Sequence, residues 1–428
     1  MQELDLTPRQ RQRAALAALL GNALEWYDFA VYGYVASDLG RVFFPKDVPG
    51  LQTLAAFGVF AVGYLMRPIG SLVLGPLGDL LGRRLMLSLS IVIMGLSSLL
   101  IGLLPTHAQI GMAAGTLLVL LRMLQGFSVG AEFTGSITYA TEAAARGRAG
   151  TLSSLAVAGG LLGFSLGSLT AALIGWILGP AAMASWGWRL PFLLGAAVAV
   201  VGLWMRRGMP ETLVSAQAGE ATLKGVNLVG PVLAQLREVC GQWRLVLQVI
   251  GLVSFANVIF YLAFVYLVDL TGVRSGQPAA ANTIATVIQT IGLLLAIGGG
   301  RLADRYGMVP VNRWGNALLV LLAPVGLLIG GQGQLLPLAL AQLLLVVPVM
   351  VTMGAQGVLG VLLVPEQQRC AVFSIAYSLA MALFAGTSPF VASWLAAQQW
   401  SAWIVPYVLI YGAAALITVQ RLRVAPVR

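Results

Sequence analysis

Long apolar stretches separated by short polar loops run along most of this chain. Stretches such as 85–104 and 335–364 do not alternate as β-strands do, and they reach the roughly 20 residues that a helix needs to cross a bilayer. Because backbone polar groups in lipid must be paired within their own segment, this pattern predicts membrane-spanning helices. We expect twelve spans, at about 16–40, 51–76, 85–104, 111–140, 149–179, 189–206, 244–269, 281–301, 312–331, 335–364, 370–398 and 401–421.

The composition supports a membrane protein. Hydrophobic residues make up 59% of the 428 residues and charged residues only 9%, with a mean hydropathy of +0.89. A soluble domain carries roughly 25% charged residues. The net charge of +10 fits the accumulation of Lys and Arg on the cytoplasmic side of a membrane, so we expect no nucleic-acid partner.

The distribution of charge predicts the orientation and the division of the chain. With the N-terminus inside, 19 of the 25 Lys and Arg fall in cytoplasmic segments, so both termini are expected in the cytoplasm. The longest polar stretch divides the spans six and six. We therefore expect an N-terminal bundle at 1–207, a cytoplasmic linker at 208–243 and a C-terminal bundle at 244–428.

Two pairs of loops indicate an internal repeat. The loop after span 2 contains Asp79 and the loop after span 8 contains Asp304, 225 residues later. The loops after spans 4 and 10 contain Glu142 and Glu366, which are 224 residues apart. Two markers at nearly one offset predict a duplicated six-helix unit, and parallel repeats of this kind frame a substrate path along their shared axis.

The first of these loops, Gly75–Arg84, resembles the G-x-L-[GA]-D-x-x-G-R-R signature of the major facilitator superfamily. Four further motifs resemble the metabolite:proton symporters of that superfamily, which include proline/betaine, 2-oxoglutarate, citrate and shikimate permeases. They are Gly21–Phe29, Leu65–Gly70, Gln125–Glu132 and Trp186–Phe192. The resemblance implies two pseudo-symmetric six-helix halves, alternating access and a place in the bacterial inner membrane.

The chain departs from the family pattern in two places. The second loop copy has Met308 and Val309 where the first has Arg83 and Arg84, so we expect a weaker gate there. Some osmosensing members carry a long C-terminal extension that this sequence does not show. Osmosensing is therefore not expected.

Five charged residues fall well inside the predicted spans, away from their ends, where each costs at least about 2.5–3.5 kcal/mol. They are Glu25, Asp28, Arg67, Arg122 and Glu132. Burial favours the neutral form of a carboxylic acid and a nearby arginine favours the carboxylate, so relative movement can load or release a proton. We predict that Asp28, Glu132 and Glu25 couple transport to protons. The alternative is a static ion-pair network that includes Arg67.

Arg122 is the candidate for binding a substrate anion, because its planar guanidinium binds carboxylates in a bidentate manner. The alternative is a structural pair with Asp28. Arg189 belongs either to the charge network or to the outer interface as a snorkelling residue. Five polar residues of the second half either complete the substrate site or only pack helices together: Asn257, Tyr261, Gln289, Gln356 and Tyr377.

The repeated loops are predicted to act as gates. Asp79 is expected to sit at the N-terminus of span 11, whose free N–H groups attract an anion, while Arg83 and Arg84 reach neighbouring acids. A plain tight turn is the alternative. The residues assigned to the two gate loops are Gly75, Gly78, Asp79, Gly82, Arg83, Arg84, Asp304 and Arg305.

These observations predict a secondary active symporter that imports a small carboxylate-bearing metabolite, either a di- or tricarboxylate or a zwitterion such as proline or betaine. An exporter or facilitator on the same fold is the alternative. No cluster in the spans suggests an enzyme or a metal site, and no ATP-binding loop is present. The proton is the only coupling partner expected, with no cofactor, and we expect a monomer.

Overall fold

The computed structural model describes residues 8–45, 51–81, 83–130, 132–142, 144, 147–206, 229–365 and 368–422. All regular elements within these ranges are helices. This confirms the predicted all-helical class. We call the end of the bundle that contains Asp304 the inner end, and the end that contains Asp269 the outer end. The charge distribution predicts that the inner end faces the cytoplasm.

The N-terminal half runs to residue 206, and several of its spans are interrupted. Spans 1, 2 and 4 each consist of two helices in succession. The elements are α1 (Pro8–Tyr34), α2 (Ala36–Phe43), α3 (Leu51–Leu65), α4 (Arg67–Leu81), α5 (Arg83–Leu103), α6 (His107–Ile110), α7 (Met112–Ser128), α8 (Glu132–Glu142), α9 (Ala149–Ala182) and α10 (Arg189–Arg206).

The C-terminal part of the described chain begins at residue 229, within the predicted linker at 208–243, whose residues 208–228 lie outside the described ranges. Its elements are α11 (Val229–Gly241), α12 (Trp243–Tyr261), α13 (Leu267–Ser275), α14 (Pro278–Tyr306), α15 (Met308–Gly330), α16 (Leu335–Leu363), α17 (Ser374–Ala380), α18 (Ser388–Ala397) and α19 (Ile404–Arg421). Short π-helical turns join α12 to α13 and α17 to α18 without ending the span: Leu262–Tyr266 and Met381–Ala385.

Nine helical stretches of the described chain are long and apolar enough to cross a membrane. The other three predicted spans correspond to α1, α5 and α10. Helices α5 and α10 contain shorter apolar segments, Ser88–Leu103 and Arg189–Leu203. Helix α1 carries three arginines near its start and two acids farther along, which lower its mean hydropathy. The twelve-helix prediction accounts for all of these elements.

The bundle is apolar outside and polar inside. Large aliphatic side chains face outward, with Ile177 79% exposed and Leu294 and Ile410 each 69% exposed. Charged and amide side chains, in contrast, are buried between the helices. This distribution is the reverse of that in a soluble protein and suits a lipid surround.

A glycine stripe brings α1 and α9 into backbone contact. A Cβ atom on Gly159 would overlap the Leu19 backbone, one on Gly163 would overlap Ala23, and one on Gly167 would overlap Ala30. Small residues four apart allow this close approach in membrane helices. The contact holds the middle of α1 against the centre of the bundle.

Span 4 is broken between α7 and α8, and serine hydroxyls bind the carbonyl groups that the break frees. Ser90 donates to the Ser128 carbonyl at 2.6 Å. Ser71 donates to the Gly130 carbonyl, and Ser378 from the C-terminal half donates to the same oxygen at 3.1 Å. Irregular backbone is tolerated at membrane depth when its polar groups are paired in this way.

Candidate functional site

A narrow cavity lies between the two halves, near the middle of the bundle. Its volume is about 20 Å³, enough for about one water molecule, so the cavity is nearly closed in this conformation. Both halves contribute to its wall, which combines aromatic rings with one amide. The lining residues are Trp26, Phe133, Val157, Gly160, Leu161, Phe164, Asn257, Phe260, Tyr261, Met353 and Tyr377.

The six aromatic rings of this cavity form a continuous contact network. Trp26 meets Phe133 edge to face with a centroid separation of 5.1 Å, and it lies 5.6 Å from Phe164. Phe164 in turn meets Phe260 at 4.9 Å. Tyr377 joins the network through Phe133, with a centroid separation of 5.3 Å. The cavity therefore presents several ring faces and edges to whatever occupies it.

Three of the six residues predicted to bind substrate line this cavity: Asn257, Tyr261 and Tyr377. The Tyr261 hydroxyl lies 2.6 Å from that of Tyr64 across the two halves. Gln289 and Gln356 are buried but do not line the cavity, and Gln289 donates to the Tyr34 hydroxyl at 2.7 Å. A substrate role for these two glutamines stays a prediction.

The Glu25–Arg67 pair lies beside the cavity. Arg67 Nη2 donates to Glu25 Oε1 at 3.3 Å, and both side chains are buried. The Arg67 guanidinium lies 4.6 Å from the centroid of the Trp26 ring, which lines the cavity, and 5.6 Å from that of Tyr64. The structure thus brings together two residues of the predicted charge network and connects them to the cavity through Trp26.

Arg122 lies about one helical turn nearer the outer end and outside the cavity lining. Its guanidinium packs on Tyr32 at 4.3 Å and Phe29 at 4.8 Å, and Nη1 donates to Gln125 Oε1 at 2.9 Å. Gln125 then donates to the Ser98 hydroxyl at 2.6 Å. Arg122 is therefore held by rings and an amide, whereas Arg67 is held by a carboxylate.

The expected Asp28–Arg122 pair is not formed. Neither oxygen of the buried Asp28 carboxylate has a hydrogen-bond partner among the described residues. A Cβ on Gly195 would collide with Asp28 Oδ1, so this glycine makes room for the carboxylate. Arg122 uses Nη1 for Gln125, and its Nε and Nη2 have no hydrogen-bond partner in the described part of the chain. The alternative of a structural Asp28–Arg122 pair is therefore not seen in this conformation, and the roles predicted for both residues stay predictions.

The remaining predicted residues divide into two groups. Arg189 Nη2 donates to the Leu104 carbonyl at 3.1 Å and its guanidinium lies 4.3 Å from the Trp188 ring centroid, so it braces the outer loops. The structure describes no contacts for the residues of the other group, and the roles predicted for them stay predictions. They are Glu132, Gly75, Gly78, Asp79, Gly82, Arg83 and Arg84.

Direct contacts between the halves close the inner end. Arg369 Nη1 pairs with Glu142 Oε1 at 3.3 Å, joining the two loops that the repeat had marked. Deeper in the bundle, the Thr134 and Ser374 hydroxyls lie 2.6 Å apart, and those of Ser71 and Ser378 lie 3.0 Å apart.

Asp304 makes the most extensive of the inner contacts. Its carboxylate accepts from the backbone N–H of Gly150 at 2.7 Å, the N–H of Thr151 at 2.8 Å and the Thr151 hydroxyl at 2.6 Å. These donors belong to the first turn of α9, where N–H groups lack partners within the helix. The second loop copy therefore makes a carboxylate cap on a helix of the other half, although it lacks the two arginines of the first copy.

An aspartate that the sequence did not single out makes a similar contact at the outer end. Asp269, on α13, accepts from the Ser37 hydroxyl at 2.7 Å and from the Ser37 backbone N–H at 3.2 Å. Ser37 lies in the first turn of α2. The adjacent Asp38 pairs with Arg41 at 2.5 Å. Both ends of the path are thus closed in this conformation.

The family model of the Major Facilitator Superfamily matches residues 15–363. The chain belongs to the Major Facilitator Superfamily. It is accordingly a multi-pass membrane transporter and not an enzyme, and the family resemblance predicted from the loop and span motifs is confirmed. The central cavity between the halves and the gates at each end are the parts through which a Major Facilitator protein works by alternating access.

Curated Major Facilitator relatives align with nearly the whole chain. A glycine betaine/proline/ectoine/pipecolic acid transporter from Dickeya dadantii is 33% identical over 402 residues, which cover 93% of this chain and 80% of the relative. The proline/betaine transporter of Escherichia coli K12 is 34% identical over 414 residues, covering 95% and 82%.

Solved Major Facilitator structures share the fold. The proton:xylose symporter XylE bound to 6-bromo-6-deoxy-D-glucose superimposes with a TM-score of 0.75 at 17% identity, covering 96% of this chain and 94% of that chain. An inward-open form of XylE from Escherichia coli gives a TM-score of 0.65 at 19% identity, covering 96% and 95%.

Sequence reasoning found Tyr261 and Tyr377 but missed the other four aromatic residues of the cavity, Trp26, Phe133, Phe164 and Phe260. Phe164 and Phe260 stand in apolar spans where a ring facing lipid and a ring facing a cavity look alike. Trp26 offered a signal, because it lies between Glu25 and Tyr27 in a motif already chosen for its acids. Asp269 was missed because it stood at the predicted end of span 7.

Proposed function

We propose that this protein is a proton-coupled symporter that imports a small zwitterion, such as glycine betaine or proline, by alternating access. The names of the curated relatives support this substrate class. We further propose that it lies in a bacterial inner membrane with both termini in the cytoplasm, as the distribution of Lys and Arg predicts.

The aromatic cavity is the single observation that carries the substrate class. A quaternary or secondary ammonium group is attracted to the faces of aromatic rings, most strongly to tryptophan. The cavity offers Trp26 together with phenylalanine and tyrosine rings from both halves. A cationic head between these rings contacts both halves at once, which favours closure around the substrate.

The Glu25–Arg67 pair suits the carboxylate of the same substrate. Nε and Nη1 of Arg67 have no acceptor among the described residues, so the guanidinium retains donors for a second carboxylate. Together, Glu25 and Arg67 carry no net charge, which matches a zwitterion. A tricarboxylate needs further cations, and Arg122, the other buried arginine of the described spans, lies outside the cavity lining.

The pair also supplies a coupling step. When the substrate carboxylate binds Arg67, Glu25 loses part of its compensating charge within a buried site. A buried carboxylate without a cation favours protonation. Substrate binding and proton loading are thereby linked through one guanidinium. Asp28 remains our proposal for a second protonation site, and Glu132 for a third.

Uptake by proteoliposomes tests this function. Glycine betaine and proline should accumulate when the outside is acidified, and a protonophore should abolish the accumulation. Citrate and 2-oxoglutarate serve as competitors and should not inhibit. Equilibration without accumulation would identify a facilitator, and stronger inhibition by citrate than by betaine would refute the zwitterion assignment.

A further inference from the structure

The inner end contains a positively charged cleft that the transport site does not use. The cleft has a volume of about 520 Å³ and opens beside the Asp304 cap. Both halves line it. The N-terminal half contributes Gly147, Arg148 and Thr151, and the C-terminal half contributes Arg301, Asp304 and Arg305.

The charges in this cleft are unbalanced. Arginine stays protonated in proteins, so the lining carries three positive charges against the single negative charge of Asp304. The Asp304 oxygens already accept three hydrogen bonds from Gly150 and Thr151. Among the described residues, none of the three guanidiniums forms an ion pair with a carboxylate. The cleft therefore offers several guanidinium donors that no carboxylate among the described residues occupies.

Neighbouring aromatic residues indicate the depth of the cleft. Tyr306 and Trp314 are exposed and lie edge to face, with centroids 6.2 Å apart, and the Arg305 guanidinium lies 5.2 Å from the Tyr306 ring. Exposed Trp and Tyr at the ends of spans mark the headgroup region of a bilayer. The cleft thus lies where phosphate groups of lipids are found and where solution anions also reach.

Closure of the inner end brings these like charges together. Arg148 belongs to one half, and Arg301 and Arg305 belong to the other. When the halves separate, the arginines move apart and their repulsion falls. Closure is therefore opposed by charge repulsion unless an anion enters the cleft and contacts both sides. A guanidinium binds a phosphate group through two parallel N–H···O bonds, so a phosphate is well suited to this bridge.

We propose that this cleft binds a phosphate-bearing anion, the headgroup of an anionic lipid or free phosphate, and that the bound anion stabilises the inner-closed conformation. Because only the closed form offers arginines from both halves, the anion binds that form more tightly and shifts the population toward it. By linkage, a ligand that favours opening of the inner end weakens anion binding by the same factor by which the anion weakens binding of that ligand. The proposal rests on alternating access and not on the identity of the substrate.

The test measures opening of the inner end without any substrate. Ser374 is buried in the inner contact with Thr134, so a cysteine placed there reacts with a soluble thiol reagent only when that end opens. The assay uses Ser374→Cys with Cys240 and Cys370 replaced by serine. The reaction rate of the introduced cysteine is measured in nanodiscs of phosphatidylcholine and in nanodiscs of phosphatidylcholine mixed with phosphatidylglycerol. A third measurement uses phosphatidylcholine nanodiscs with inorganic phosphate added to the solution.

Phosphatidylglycerol should slow the reaction on the order of fivefold, a typical size for coupling between sites. Slowing by the lipid alone identifies a headgroup site, and slowing by inorganic phosphate as well identifies a site for free phosphate. Arg148→Gln should remove the anion effect. In phosphatidylcholine alone, the cysteine at position 374 should react more slowly in the Arg148→Gln variant than in the protein that keeps Arg148. The reason is that the substitution reduces the repulsion across the cleft.

Arg313→Gln is the matched control, since Arg313 is an exposed arginine at the same end that does not line the cleft. It should keep the full anion effect. The proposal is overturned if neither anion slows the reaction, or if Arg148→Gln responds to anions as Arg313→Gln does. Failure here leaves the zwitterion transport proposal intact, because no transported solute takes part in the assay.

Discussion

Arg67 and Arg122 are two fully buried arginines that face the same ring, Phe29, and yet have different surroundings. The Phe29 centroid is 5.4 Å from the Arg67 guanidinium and 4.8 Å from that of Arg122. Arg67 pairs with Glu25 and touches a cavity wall. Arg122 bonds to Gln125 and packs against rings, with no ion pair in the described part of the chain.

The comparison shows that burial of a charge does not by itself locate a substrate site. Both arginines meet the sequence criterion of an ionisable group within a span. What separates them is the identity of their neighbours. An arginine with a carboxylate partner can exchange that partner for a substrate carboxylate, whereas one enclosed by rings and an amide has nothing equivalent to exchange.

The largest effect is expected from Arg67→Gln. Removing one partner of a buried ion pair costs about 3–5 kcal/mol of stability. Thermal unfolding should occur at lower temperature and proton-driven uptake should be lost. The double variant Glu25→Gln/Arg67→Gln should recover most of the stability without recovering uptake. Unchanged uptake in Arg67→Gln would remove this residue from the mechanism.

Asp28→Asn tests whether the unpaired carboxylate near Arg122 also takes part in coupling. The amide keeps the shape of the side chain but does not titrate at neutral pH, so accumulation driven by a proton gradient should fall to background. Counterflow exchange of labelled betaine should survive. Asp38→Asn, in the outer pair with Arg41, is the control and should still accumulate substrate. Full accumulation by Asp28→Asn would restrict coupling to the Glu25–Arg67 centre.

Trp26→Ala tests the aromatic face that the Arg67 centre shares with the cavity. A desolvated cation–π contact is worth about 1–2 kcal/mol, so betaine affinity should fall roughly tenfold. Trp26→Phe should restore part of it, because a ring remains. Trp186→Ala, an exposed residue at the outer end, should bind as the unaltered protein does. Calorimetric titration of purified protein provides the measurement, and equal affinities for all four proteins would contradict the aromatic site.

Arg122→Lys should have the smallest effect on ligand binding. Lysine keeps the charge but loses the planar stacking on Tyr32, so stability should drop by about 1 kcal/mol. Betaine affinity should change by less than about threefold, since Arg122 does not line the cavity. Arg67→Lys, measured in parallel, should weaken binding far more. Equal losses of betaine affinity in the two variants would support a substrate-binding role for Arg122, which its position within a span first indicated.

The spans were predictable because their length and composition are imposed by the bilayer. The stretch expected at 335–364 is the helix Leu335–Leu363, and that expected at 189–206 is Arg189–Arg206. The Glu25–Arg67 contact was also within reach, because few charges occur in the spans and those at similar depth tend to pair. Both predictions depend on the high cost of unpaired polar groups in lipid.

The cavity wall could not be predicted in the same way. Phe164 and Phe260 cost nothing whether they face lipid or the centre, so hydropathy does not distinguish the two orientations. The partner of Gln289 is Tyr34, 255 residues earlier in the chain, and only the packing of the two halves brings them together. Asp269 escaped notice because a shift of a few residues in a predicted boundary turns an in-span acid into a loop residue.

The two carboxylate contacts at the ends of the path have a consequence for how variation acts on this protein. Both acceptors, Asp269 and Asp304, belong to the C-terminal half, and part of each contact comes from backbone N–H groups of the other half. Every residue except proline supplies such a donor, so most substitutions at Ser37 or Thr151 keep it. Gly150 is different, because a Cβ there would lie 2.8 Å from Asp304 Oδ1. A single substitution at either aspartate removes the acceptor. The two carboxylates whose loss would change the balance between outward and inward opening therefore lie in the same half of the chain.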